Sequence, residues 1–199
     1  WEEWESYFHE AQDFEAVNRN ILALTHDFVA GLSGKGQKTR HLFSGAITPG
    51  GVISKIDSLI DRDYSLFAVK GSPGTGARKL FDYALQTINL SGIEAEVYHN
   101  PFDPKNIDII ILPLSQSVLI DVSAHLVDYA ALLPGNKHKR FLDFDQLVKK
   151  SVIDPYGKNI ASARQRFESG IQDAISFIQK AKEYHDQLES YYIPAMNFA

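Results

Sequence analysis

The stretch Leu66-Phe67-Ala68-Val69-Lys70-Gly71-Ser72-Pro73-Gly74-Thr75-Gly76-Ala77-Arg78-Lys79-Leu80 constrains the fold more than any other part of the chain. Its apolar opening reads as a buried strand, its middle as a glycine-rich turn, and Lys79–Leu90 as a helix. That order is the layout of a phosphate-binding loop, in which backbone N–H groups and a helix N-terminus surround an anion. Against the pattern G-x-x-x-x-G-K followed by Ser or Thr, Gly71 and Gly76 are in place, but the next residues are Ala77 and Arg78. The lysine that reaches the β- and γ-phosphates is missing, and so is the hydroxyl that holds Mg²⁺. Gly71, Ser72, Pro73, Gly74, Thr75, Gly76, Ala77, Arg78 and Lys79 are the candidate nucleotide- or phosphate-binding residues. Arg78 or Lys79 would supply charge from a shifted position. The bland alternative is a loop that only joins a strand to a helix.

The rest of the chain places this loop in an α/β protein. Ile107–Leu112 and Ser117–Asp121 are near-continuous apolar runs, and Glu94–His99 alternates as a strand. Continuous hydrophobicity suits strands covered on both faces, hence a mainly parallel sheet sandwiched by helices. The short segment between Pro113 and Gln116 allows one antiparallel neighbour. Glu10–Leu32 reads as an N-terminal helix closed by Gly31 and Gly34, and His41–Ile47 as a further strand. Thr48-Pro49-Gly50-Gly51 reads as the start of a second helix bearing Val52, Ile56, Leu59 and Ile60. A long helical pattern, from Ile160 to Tyr192, fills Asn159–Tyr192, with Gly170 as a point of bending or division.

Composition narrows the class. A chain of 199 residues suits one domain with helical additions, here residues 1–33, a core over 34–157 and a helical segment over 158–199. Hydrophobic residues at 44% and charged residues at 23% fit a globular protein and exclude a disordered one. A formal charge of −5 gives no general reason to expect nucleic-acid binding. The absence of cysteine removes disulfides, thiolate metal sites and a cysteine nucleophile. No long apolar span and no basic-then-apolar leader occurs, so the expectation is a soluble, cytoplasmic protein with no membrane partner. The opening at Trp1 suggests a fragment of something longer.

Beyond the loop, Asp121 closes a strand where phosphate-loop enzymes hold Mg²⁺ or its water. It is the candidate metal-facing residue and the one candidate catalytic group. His99 and His125 lie just past strand ends, the edge at which such sheets bind ligands, though a lone histidine is more often structural. The basic segments Gly34–Arg40 and Leu132–Arg140 read as solvated loops. Each also has the charge to meet phosphate.

The two ends echo each other: Glu5-Ser6-Tyr7-Phe8 and Ala11-Gln12-Asp13-Phe14 align with Glu189-Ser190-Tyr191-Tyr192 and Ala195-Met196-Asn197-Phe198. A junction that recurs at domain-length spacing points to a repeated unit, with another copy upstream of Trp1.

Arg40–Gly51, the loop Lys70–Gly76 and Val97–Asp108 resemble a family of bacterial tandem phosphate-loop ATPase-like proteins of uncharacterised function. The resemblance runs from about Arg40 to Phe198. It implies a nucleoside-triphosphate-hydrolase fold, two such halves per polypeptide, and binding of ATP or another nucleotide with Mg²⁺. The family loop continues with lysine and Ser/Thr, here Ala77 and Arg78, and many relatives carry cysteine where Asn100 stands. The expectation is nucleotide or phosphate binding with impaired or absent ATP hydrolysis, the partner being the second half of the same polypeptide or another copy in a homo-oligomer. The alternative is a non-catalytic module that docks through the Asn159–Tyr192 helix. A nucleotide or nucleoside kinase is the third class, and the missing lysine argues against it.

Overall fold

The computed structural model describes residues 1–34, 39–133, 135 and 137–196. In chain order the elements are α1 (Glu2–Ala11), α2 (Phe14–Phe28), β1 (Arg40–Phe43), β2 (Ala46–Thr48), β3 (Gly51–Ile53) and β4 (Ser65–Lys70). There follow α3 (Ala77–Leu90), β5 (Glu96–His99), β6 (Ile107–Leu112), β7 (Ser117–Asp121), α4 (Tyr129–Leu132), β8 (Lys137–Asp143), α5 (Lys150–Ile153) and α6 (Gly157–Tyr192).

Six strands form one sheet in the order β1-β5-β6-β7-β4-β8. β1 runs parallel to β5, and β7, β4 and β8 are mutually parallel, while β6 is antiparallel to both its neighbours. The sheet is thus mostly parallel with one reversed strand. The reversal follows from the tight Pro113–Ser115 turn, which returns β6 directly into β7.

Alternation within the strands divides the core. Phe67 and Val69 of β4, Ile110 and Leu112 of β6 and Leu119 of β7 pack with Val17, Phe28, Leu80 and Phe81 of α2 and α3. Leu66, Ala68, Ile109, Ile111, Val118 and Ile120 point the other way, onto Ile56, Ile60 and Tyr129. Both faces being covered, the strands carry no polar face, which is why their sequences are continuously apolar. The second face is covered more thinly, by a single 3₁₀ turn at Ile56–Ser58, Ile60 and the one-turn α4.

Several expectations are corrected. The N-terminal helix over Glu10–Leu32 is two helices. Gln12 is extended and bridges to Val148, and the Asp13 carboxylate accepts the Ala16 N–H at 3.1 Å to cap α2. The expected strand His41–Ile47 is broken at Ser44-Gly45 into β1 and β2. The helix expected after Thr48 is a hairpin, with β2 turning back into β3 through Pro49-Gly50. The Thr48 hydroxyl donates to the Gly51 carbonyl at 2.7 Å and accepts the Gly50 N–H at 3.2 Å, which closes the turn.

The basic turn at Leu132–Arg140 ends in the edge strand β8, where the exposed Lys139 and Arg140 discourage further strand pairing. Gly170 does not divide α6, which runs unbroken for 36 residues. The helix after the glycine-rich turn starts at Ala77, two residues before the expected Lys79. Residues 35–38 of the basic loop, and Asn197 and Phe198 of the terminal echo, lie outside the described residues. No described helix is long and apolar enough to cross a membrane.

Candidate functional site

At the C-terminal edge of the sheet, β4 enters the glycine-rich turn and α3 leaves it. Gly74 (φ +86°) and Gly76 (φ +114°) occupy the left-handed region, which a side chain would oppose. Gly76 is the N-cap of α3 and provides no side-chain cap, so the first-turn N–H groups of a 14-residue helix carry their partial positive charge uncapped. Three of the loop's own donors are taken, the Thr75 N–H by the Ser72 carbonyl at 3.2 Å. The Gly71 N–H bonds Ser123 Oγ at 2.9 Å, and the Ser72 N–H bonds Asp145 Oδ1 at 2.8 Å. Thr75 is fully buried and donates its hydroxyl to the Ser72 carbonyl at 2.7 Å, fixing the turn from inside.

A cleft of about 350 Å³ opens beside this turn. Loop residues Gly71, Ser72, Pro73, Gly74 and Gly76 line it, together with Ala77, Arg78 and Lys79 at the start of α3. Thr75 is absent from the lining. Ala77 is buried, so the position a phosphate-contacting lysine would take holds a methyl group in the core. Arg78 is exposed at the rim. Lys79 stands 5.0 Å above the ring of Phe14, which ties its ammonium to α2.

Opposite the loop lie two acids on neighbouring strands. Asp121, at the end of β7, accepts the Ser123 N–H at 2.8 Å and the Ser123 hydroxyl. Desolvation raises its carboxyl above the usual range. The Ser123 hydrogen bonds and His125 pull it back, and Asp108 adds to the rise. Asp108 on β6 is 8% exposed in an otherwise apolar strand. It accepts from Ser44 Oγ (2.9 Å), Asn100 Nδ2 (3.1 Å) and the Tyr129 hydroxyl (2.9 Å), yet burial still raises its carboxyl. The Tyr129 hydroxyl is pushed up in turn, by burial first and by Asp108 second.

His125 belongs to the cleft, with Nε2 2.9 Å from the Gly71 carbonyl. Trp1 and Trp4 meet its ring edge-on, at 5.5 and 5.3 Å. His99 does not: it pairs with His41 on β1, rings 5.1 Å apart and Nδ1 of His41 2.8 Å from its Nε2. The next residue, Asn100, does line the cleft, so His99 is kept out by its stacking on His41 of β1 and not by the place of β5 in the sheet.

The sequence reading did not find Ser123, Asp145, Asp108 or the wall formed by α1. Asp108 had a signal, a lone carboxylate inside the apolar run Ile107–Leu112. Ser123 had one too, in Asp121-Val122-Ser123, where a hydroxyl two residues past an aspartate can close a local turn. Asp145 and Gln12 reach the loop only through tertiary packing and had none. Chemically, the site offers an uncapped helix start, one arginine at the rim and two acids, Asp108 buried and Asp121 half-buried. It does not offer a lysine or hydroxyl at the phosphate position. The chain matches no protein-family model, no curated protein and no solved structure.

Proposed function

We propose that this chain is a phosphate-loop NTPase-like unit that binds nucleotide or phosphate with impaired or absent hydrolysis, as one half of a tandem ATPase-like protein. The observation that carries this is the passage from β4 through a turn with two left-handed glycines into the uncapped start of α3, with Asp121 on the adjacent strand β7. An anion there would accept from the N–H groups of Gly76, Ala77 and Arg78, with the Arg78 side chain adding charge. The residues fit a phosphate group better than its metal. Asp121 is the one acid at the expected strand end, and Arg78 replaces the hydroxyl ligand. A bound Mg²⁺ would favour the ionised form of Asp121, opposing its desolvation, and would screen the phosphate charge.

Calorimetric titration with ATP, ADP and inorganic pyrophosphate, with and without Mg²⁺, tests the reading. The expected result is binding without turnover. The double substitution Ala77→Lys with Arg78→Ser should tighten Mg-ATP binding by about 10- to 100-fold, the worth of a charge-assisted hydrogen bond. Absence of heat for every ligand, in both the parent chain and a folded double variant, removes the reading.

A second reading is favoured by α6. Its C-terminal half exposes Phe177 (68%), Tyr184 (66%), Leu188 (60%) and Tyr191 (80%) along one face. Such a stripe suits a module that docks on another unit, the loop being architecture only.

A further inference from the structure

We propose that α1 is a removable strap on the glycine-rich loop, so that an anion at the start of α3 and the seated α1 compete; this rests on the phosphate-binding reading above. α1 meets the loop backbone to backbone. A methyl group built on Gly74 would overlap the Glu5 carbonyl oxygen and lie 3.1 Å from the His9 nitrogen. The Gln12 amide donates to the Gly74 carbonyl. A ligand that extends from the α3 N-terminus across Gly74 therefore meets α1 itself.

The strap is matched to the site it covers. Among its ten residues are Glu2, Glu3, Glu5 and Glu10, and the Glu5 residue lines the cleft. An acidic helix thus sits where the partial positive charge of α3 and the guanidinium of Arg78 would attract an anion. Seated, α1 keeps phosphate away both by filling space and by its charge.

Its attachments are those of a hinged piece. At the C-terminal end the chain is held by main-chain bonds, Lys149 N–H to the Ala11 carbonyl (2.8 Å) and Asp13 N–H to the Leu147 carbonyl (3.0 Å). Gln12 lies between them in extended backbone, bridged to Val148, so this clamp anchors the C-terminal end of α1 while the part before it is free to lift. Towards the N-terminal end the hold is aromatic: Trp1 and Trp4 rest on His125 and Phe167, and Tyr7 lies 5.0 Å from Tyr156. The Glu3–Arg166 ion pair is exposed on both sides and adds little. Only Trp4 and Ala11 of α1 are buried. The seated state also leaves the buried Trp4 Nε1 and Gln12 Oε1 without a partner. Lifting the strap hydrates both, which lowers the cost of release.

The chain carries its own reporter, because both its tryptophans lie in this segment. Titration of the full chain with inorganic pyrophosphate should shift tryptophan emission to the red and speed hydrogen exchange of residues 2–11, leaving α3 protected. The double substitution Gln12→Ala with Phe167→Ala removes the Gln12–Gly74 tie and the aromatic rest of Trp1 and Trp4 while changing no loop residue, and should tighten pyrophosphate binding about tenfold. Pyrophosphate binding to the parent chain with no change in emission or in α1 exchange overturns the strap and leaves the phosphate reading standing. Binding to neither chain, with α3 still protected, overturns the phosphate reading and the strap with it. The parent measurements decide the matter even where the double variant fails to fold.

Discussion

At the scale of single residues, the site is dominated by two acids that burial holds towards their neutral forms, Asp121 and Asp108. The folded chain binds a proton at Asp121 more tightly than the unfolded chain does. The stability this contributes is full below the ordinary carboxylate value of about 3.9 and is lost as pH rises through the raised folded value. Replacing Asp121 by Asn removes a desolvated charge while keeping an oxygen that accepts from Ser123. The variant should melt at a higher temperature than the parent at about pH 8, and the gain should shrink to nothing at about pH 4. Melting curves across pH check this, and a gain independent of pH would mean that ionisation of Asp121 is not the cause. Residual pH dependence of the same sign will remain in the variant, because Asp108 is raised by the same desolvation. If Asp121 also faces Mg²⁺, the variant should bind pyrophosphate alike with and without the metal.

At the scale of elements, what the sequence made legible was what local pattern controls. β6 and β7 keep the bounds expected of them, and β4, the glycine-rich turn and α3 follow one another as expected, since apolar runs and glycine punctuation are decided within a few residues. The long helix is legible for the same reason, its stripe having a helical period. Misreadings arose where one pattern served two structures. Val52, Ile56, Leu59 and Ile60 have helical spacing, yet Thr48 closes a hairpin turn, and Leu59 ends 47% exposed. The basic run Lys137–Arg140 looks solvated and is an edge strand, paired on one side with β4. Of the cleft lining, the loop residues apart from Thr75, together with Asp121 and His125, are singled out by local pattern, whereas the contacts of Asp145 and of α1 with the loop depend on distant packing. Gly170 yields a prediction at this scale. It lies inside α6 with open space where a Cβ would go. Gly170→Ala should therefore stabilise the chain by about 0.5–1 kcal/mol, chiefly by restricting the unfolded backbone. Urea denaturation checks it, and a loss of stability would mean that α6 packs more closely at this point than its exposure implies.

At the scale of the whole molecule, α6 extends the argument beyond the sheet. At 1.5 Å per residue its 36 residues span about 54 Å. Ala163 and Ile175 are its only buried residues among those described. A helix of this length is not held by its own propensity alone; most helical stability in proteins comes from packing an apolar face. Here the face carried by Phe177, Tyr184 and Leu188 stays exposed among the described residues, while Lys182–Asp186 and Arg164–Glu168 pairs line exposed positions. Self-association through that stripe would supply the missing packing. The parent chain should then sediment with a concentration-dependent mass, and Phe177→Lys with Tyr184→Lys and Leu188→Lys should sediment as a monomer with unchanged melting of the sheet domain. A parent chain that stays monomeric at every concentration removes self-association as the role of this face. Pyrophosphate binding should be equal in the parent and the lysine variant, because the stripe and the glycine-rich cleft share no residue.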